Sequence, residues 1–282
     1  MSKRNTAASV RAQLLNKAQA DGLDFSLVLT RYALERLLYR LGISSHQDNF
    51  LLKGALLFDL WFDVPLRPTR DIDLLGFGLV EMTHLTAVFE KLCELEVDDG
   101  VRFDATTIQA QEIRKDANYA GIRLMLLAWI DGAKCSIQVD VGYGDVVTPA
   151  PEMADYPVML EEFPAPRLRV YPRYTVVAEK IEAIISLGMA NSRMKDYFDL
   201  WVLLTRCQLD REILRQAVTA TLARRKTTLP NRLPLGLSDE FALEAQKNSQ
   251  WNAFIKRNRL EAKTLAETVK SIRQSLGFIF NS

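Results

Sequence analysis

Histidine is scarce in this chain and cysteine nearly so. Its 282 residues include only His46, His84, Cys93, Cys135 and Cys207. The two histidines lie far apart and the cysteines form no CxxC pair, which argues against a zinc site and against a fold held by disulfides, and suggests a reducing cytosol. Long hydrophobic runs are missing as well. The longest nearly uncharged run, GIRLMLLAWIDG, is too short to span a bilayer and carries Arg123 and Asp131. The opening MSKRNTAASVRAQLL lacks the apolar stretch of a signal peptide. Repeats and low-complexity tracts are absent too. A cytoplasmic protein with no membrane attachment is expected. With 48% hydrophobic and 25% charged residues, the chain is long enough for one large domain or two ordinary ones.

Net charge is close to balanced at +1, but unevenly spread. Residues 204–282 hold 14 basic and 7 acidic side chains, and the rest holds 22 and 28. A basic tail beside an acidic front fits a surface for polyanions, with Arg224, Arg225 and Lys226 as its densest cluster and Lys256, Arg257 and Arg259 next. Solvated helix faces would give the same count.

Helical spacing runs from Thr6 to about Leu41, with Leu27, Tyr32, Leu34, Leu38 and Leu41 as the apolar stripe and Arg31, Arg36 and Arg40 on the wetter side. Asp24 is a candidate cap and Gly42 a candidate end. NFLLKGALLFDLW predicts another helix, stopped by Pro65 and Pro68. VEMTHLTAVFEKLCEL predicts a further helix, and VRFDATTIQ, IRLMLLAWI and CSIQVDVGY predict strands. Residues 156–172 are proline-rich and read as surface loop. From Thr175 the chain reads as helices again, with a polar break at about residues 225–238. The architecture expected is α+β, with a core over residues 1–173 and a helical C-terminal part over residues 174–282.

The stretch RPTRDIDLLGFG poses the chemical question. Asp71 and Asp73 sit two apart beside apolar residues, so on a strand both carboxylates share one face and repel. Nearby cations or a shared proton must offset that repulsion. In CSIQVDVGYGD, Asp140 alternates with Ile137, Val139 and Val141 and falls on the polar side with Ser136 and Gln138. If the two strands are neighbours, three carboxylates meet on one face and suit Mg²⁺, which takes carboxylates together with substrate phosphates. Two such ions can clamp the attacking and leaving oxygens of a phosphoryl displacement. Each feature has a plainer reading alone: a DxD often marks a solvated strand end, Lys53-Gly54-Ala55 can be helix packing, and Lys180 can snorkel to water. Asp196 and Asp199, three apart, share a helix face with Arg193 and Lys195 close by.

The combination is more specific. Lys53-Gly54-Ala55, then Arg67-Pro68-Thr69-Arg70-Asp71-Ile72-Asp73, then Asp140, then Glu179-Lys180, then Arg193-Met194-Lys195-Asp196 with Asp199 resembles the AbiEii/AbiGii nucleotidyltransferase toxin family over about residues 27–205. The resemblance implies a polymerase-β-like nucleotidyltransferase core, a small mixed sheet flanked by helices, with a helical C-terminal part. It implies the toxin of a toxin–antitoxin or abortive-infection (phage-defence) pair, with a cognate antitoxin as partner. It further implies an enzyme that moves a nucleotide from an NTP to an RNA acceptor, a tRNA 3′ end in some relatives. On this reading Asp71, Asp73 and Asp140 bind two Mg²⁺ ions (Mn²⁺ in their place), and Lys180 and Asp196 complete the catalytic set. Lys53, Gly54, Ala55, Arg67, Thr69, Lys180 and Arg193 bind the nucleotide. Relatives often carry Gly-Ser or Gly-Gly where this chain has Gly54-Ala55, so only backbone amides serve there. Two rival readings are a metal-dependent nuclease and a non-catalytic protein whose tail binds RNA or a partner.

Overall fold

The computed structural model describes residues 5–62, 68–114 and 120–280. The chain divides into two compact units, residues 1–144 with 152–170, and residues 145–151 with 171–282.

The first unit is an α+β layer structure. Its helices are α1 (Thr6–Ala20), α2 (Phe25–Ile43), α3 (Leu57–Trp61) and α4 (Met82–Glu94). Its strands are β1 (Phe50–Lys53), β2 (Asp71–Gly76), β3 (Arg102–Arg114), β4 (Ala120–Ile130), β5 (Ala133–Tyr143), β6 (Glu152–Asp155) and β7 (Arg167–Val170). Among the described residues these form one seven-stranded sheet in the order β3-β4-β5-β2-β1-β7-β6. The sheet is mixed: β2 runs parallel to β5 and β1 parallel to β7, while the other pairs are antiparallel. Alternation builds the core. Ile137, Val139 and Val141 of β5, with Ile72 and Leu74 of β2, are almost fully buried.

Several expectations change here. The long helical pattern is two helices, and Asp24 caps the second by accepting from the Leu27 amide at 2.9 Å. Gly42 does not end that helix. It lies inside it, where a Cβ would come within 2.7 Å of the Arg167 carbonyl, so its role is close approach to β7. The predicted helix over NFLLKGALLFDLW is instead β1, a tight turn at Gly54–Leu56 and the five-residue α3. Gly54 has φ +77°, which breaks any helix, and ladders to β2 and β7 capture the residues before it. The proline-rich segment also yields a strand, β7, rather than loop throughout.

Arg36 and Arg40 were expected toward water, yet they are 0% and 2% exposed. Both converge on buried Asp99: Arg36 Nε donates to it at 3.0 Å, and Arg40 donates through two nitrogens at 2.7 and 3.2 Å. Helical spacing marks them as polar, but the partner that allows burial lies 59 residues on from Arg40.

The second unit is helical: α5 (Arg173–Leu187), α6 (Met194–Arg206), α7 (Arg211–Arg225), α8 (Asp239–Leu243), α9 (Ala245–Asn258) and α10 (Leu265–Phe280). The polar break falls between α7 and α8. Asp210 caps α7 through two amides, and Tyr197 stacks on Phe241 with ring centroids 5.0 Å apart. Arg225 is not a surface cation for polyanions. It donates to Glu182 at 2.7 Å and to Asp145 at 3.1 Å, and sits 3.7 Å from Glu179. Lys256, Arg257 and Arg259 are exposed. No helix among the described residues is long and apolar enough to cross a membrane.

Candidate active site

The acidic stretch is a strand, and its neighbour carries Asp140. β2 and β5 pair in parallel with Asp71 opposite Gln138 and Asp73 opposite Asp140. Residues opposite one another share a face, so all three carboxylates lie on the same side of the sheet. On the far flank of β2, Lys53 of β1 is opposite Asp73. On the far flank of β5, Arg123 of β4 is opposite Asp140. One row across four strands therefore reads Lys53, Asp73, Asp140, Arg123, with a cation at each end of two carboxylates.

Arg123 was visible in the sequence only as an interruption of an apolar run, and no role follows from that. In the fold its guanidinium grips Asp140 with a two-pronged bond, Nε to Oδ1 at 2.7 Å and an Nη to Oδ2 at 2.8 Å. Gln138 adds a bond to Oδ1 at 3.3 Å. Asp140 is 4% exposed, so this pairing is its compensation for burial. The bond to Asp140 chiefly raises the pKa of Arg123, and Asp71 and Asp73 add to the effect.

Gly54 follows Lys53 at the strand end. A Cβ built there would stand 2.2 Å from Asp73 Oδ2, so the turn's backbone lies directly against that carboxylate. Ala55, next in the turn, is buried. The hydroxyl of Thr69, a buried residue, donates to Asp71. Arg67, expected to bind nucleotide, lies outside the described residues.

The donors suit a hard divalent cation: three carboxylates on adjacent registered strands, with no sulfur or imidazole. As the side chains stand, no group of three or more His, Cys, Asp or Glu among the described residues is arranged to hold a metal ion. At Asp140, both carboxylate oxygens accept from Arg123.

The remaining expected residues form a cluster of their own in the second unit. Lys180 of α5 donates to Asp196 Oδ1 and to Asp199 Oδ2 of α6, both at 2.8 Å. Asp196 and Asp199 are 3% and 1% exposed. Arg193 Nε stands 3.0 Å from the other Asp196 oxygen. Burial would raise the pKa of Asp196, but Lys180 and Arg193 outweigh it and hold the carboxyl below its ordinary range. The predicted i, i+3 pairing of Asp196 and Asp199 on one helix face is what lets one lysine serve both.

Comparison with known proteins then gives four findings. The family model described as nucleotidyl transferase AbiEii toxin, type IV toxin–antitoxin system, matches residues 36–274. The crystal structure of JHP933 from Helicobacter pylori superposes with a TM-score of 0.52 at 13% identity, covering 92% of this chain and 94% of that one. A second H. pylori chain, a nucleotidyltransferase candidate by its description, gives 0.49 at 13% identity over 92% and 96%. None of the curated proteins matches the chain in sequence. The mixed sheet flanked by helices is the polymerase-β-like fold.

Proposed function

This chain belongs to the AbiEii family of nucleotidyl transferase toxins of type IV toxin–antitoxin systems, and from that membership we propose that it transfers a nucleoside monophosphate from an NTP to the 3′ end of an RNA, a tRNA, in the cytoplasm. The observation that carries the reading is the registered placement of Asp71, Asp73 and Asp140 on one sheet face. Two Mg²⁺ ions (or Mn²⁺) held there would supply charge neutralisation for in-line displacement at the α-phosphate, with pyrophosphate leaving. Asp71 and Asp73 would hold both ions. Asp140 would help hold one of them and take the proton from the acceptor's 3′-hydroxyl. The amides of the Gly54 turn, with Lys53 and Thr69, orient the nucleotide. Lys180 and Arg193 carry the charge that a triphosphate requires, and Asp196 orients Lys180. Transfer to a tRNA 3′ end would block aminoacylation and growth, and a cognate antitoxin would restrain it.

Incubation with each labelled NTP and total bacterial RNA tests this. The expected product is RNA lengthened by the labelled nucleotide, formed only with a divalent cation and lost in Asp71→Asn. RNA shortened instead would mean a nuclease. Transfer that survives Asp71→Asn, or the lack of transfer with every NTP, would overturn the proposal.

A further inference from the structure

The row Lys53, Asp73, Asp140, Arg123 contains its own answer to the repulsion of its carboxylates. A cation that is to use Asp140 meets a competitor. Arg123 holds both oxygens of that side chain, at 2.7 and 2.8 Å, in the planar two-pronged geometry that a carboxylate offers best. The two partners differ in freedom. The Asp140 side chain is 5% exposed, whereas that of Arg123 is 31% exposed. The carboxylate is fixed in the sheet, and the guanidinium is the member with a route to solvent. A buried carboxylate tolerates the loss of one cation only if another replaces it.

We propose that Arg123 is a positioning residue acting as a tethered counter-ion: it holds Asp140 while no metal is bound, and yields that carboxylate when a divalent cation arrives. This rests on the reading of the acidic face as a cation site. Two consequences separate it from a merely structural ion pair. Removing Arg123 tightens cation binding, because a repelling charge and a competitor for Asp140 both disappear. It also makes the folded state depend on the cation, which then becomes the main compensation for Asp140. A purely structural arginine predicts the reverse for affinity, since a loosened Asp140 would bind a metal more weakly.

Mn²⁺ binding to the full-length protein, followed by loss of the free-ion electron paramagnetic resonance signal, measures the first consequence without any turnover. Arg123→Gln is expected to bind Mn²⁺ at least about tenfold more tightly than wild type at low ionic strength. Arg123→Lys, which keeps the charge but not the fork, falls between them. The second consequence is read by melting: Arg123→Gln melts below wild type in EDTA, and Mn²⁺ closes that gap. Equal or weaker Mn²⁺ binding by Arg123→Gln, with wild-type binding intact, overturns the role of Arg123 alone. Absence of Mn²⁺ binding in both proteins overturns the cation site itself and the counter-ion with it. Should Arg123→Gln fail to fold, NMR of the Arg123 Nε–Hε group in wild type decides. Its signal is expected to move to the position of a solvated arginine as Mg²⁺ is added. A signal unmoved by saturating Mg²⁺ would show that Arg123 stays on Asp140.

Discussion

Gly54 shows how far one atom reaches in this protein. Its φ of +77° is a left-handed conformation that costs other residues about 1–2 kcal/mol, and its missing Cβ leaves room for the Asp73 carboxylate. Gly54→Ala should therefore melt a few degrees lower and lose transfer activity by about 100-fold or more, because Asp73 is displaced by a large fraction of an ångström. Equal activity in the Gly54→Ala protein would show that the turn does not set Asp73. Lys180 carries a different burden. It is the cation shared by two carboxylates that are 3% and 1% exposed. Lys180→Met should abolish transfer and also cost up to about 3–5 kcal/mol of stability, the usual penalty for removing one member of a buried ion pair, lessened by Arg193 remaining on Asp196. Chemical denaturation checks this, and adding Asp199→Asn should recover part of the loss. An undiminished midpoint in Lys180→Met would assign Lys180 to substrate alone.

Helix α2 is the element whose surroundings depart furthest from its sequence pattern. Most of its length is buried, and Glu35, Arg36 and Arg40 lie inside with its leucines. Burial raises the Glu35 carboxyl to about 7, although the Met159 amide and Arg36 both favour its ionised form. The folded protein thus holds this proton more tightly than the unfolded chain. The stabilisation is complete below the ordinary glutamate range and is lost as pH rises through about 7. Wild type should accordingly lose stability relative to Glu35→Gln between pH 5 and 8, measured as the difference in urea midpoints across that range. A constant difference would mean that Glu35 titrates at its ordinary value. Helix α7 carries a similar lesson in charge. Of the Arg224, Arg225 and Lys226 cluster, Arg225 is committed to Glu182, Asp145 and Glu179. The exposed trio at the end of α9 is the better candidate for RNA. Replacing Lys256, Arg257 and Arg259 with alanine should flatten the salt dependence of RNA binding by about 0.7 for each phosphate no longer neutralised. An unchanged slope would exclude that helix end.

For the molecule as a whole, expression in a bacterium without the antitoxin should arrest growth, and Asp71→Ala should relieve the arrest. Arrest by the Asp71→Ala protein at an equal level would mean a non-enzymatic toxin. What could be read along the chain is local. Alternation laid out β5, an acidic pair beside apolar residues marked β2, strand-forming residues marked β4, and a capping aspartate started α2. The ordered motifs Lys53-Gly54-Ala55, Asp71-x-Asp73, Asp140, Glu179-Lys180 and Asp196 carried the family. These signals are readable because each rests on residues a few positions apart, where side-chain direction follows from the period of the backbone. The rest came from the assembled fold. The residues of β1 became a strand because β2 and β7 lie on either side of it, against the helical look of the sequence there. Arg36 and Arg40 went inward because Asp99 meets them from a distant loop. Arg123 took its place on Asp140 because an antiparallel hairpin set residues 17 positions apart side by side. The free energy of a charge depends on which charges surround it, and that neighbourhood comes from pairings across long stretches of chain that no local period encodes.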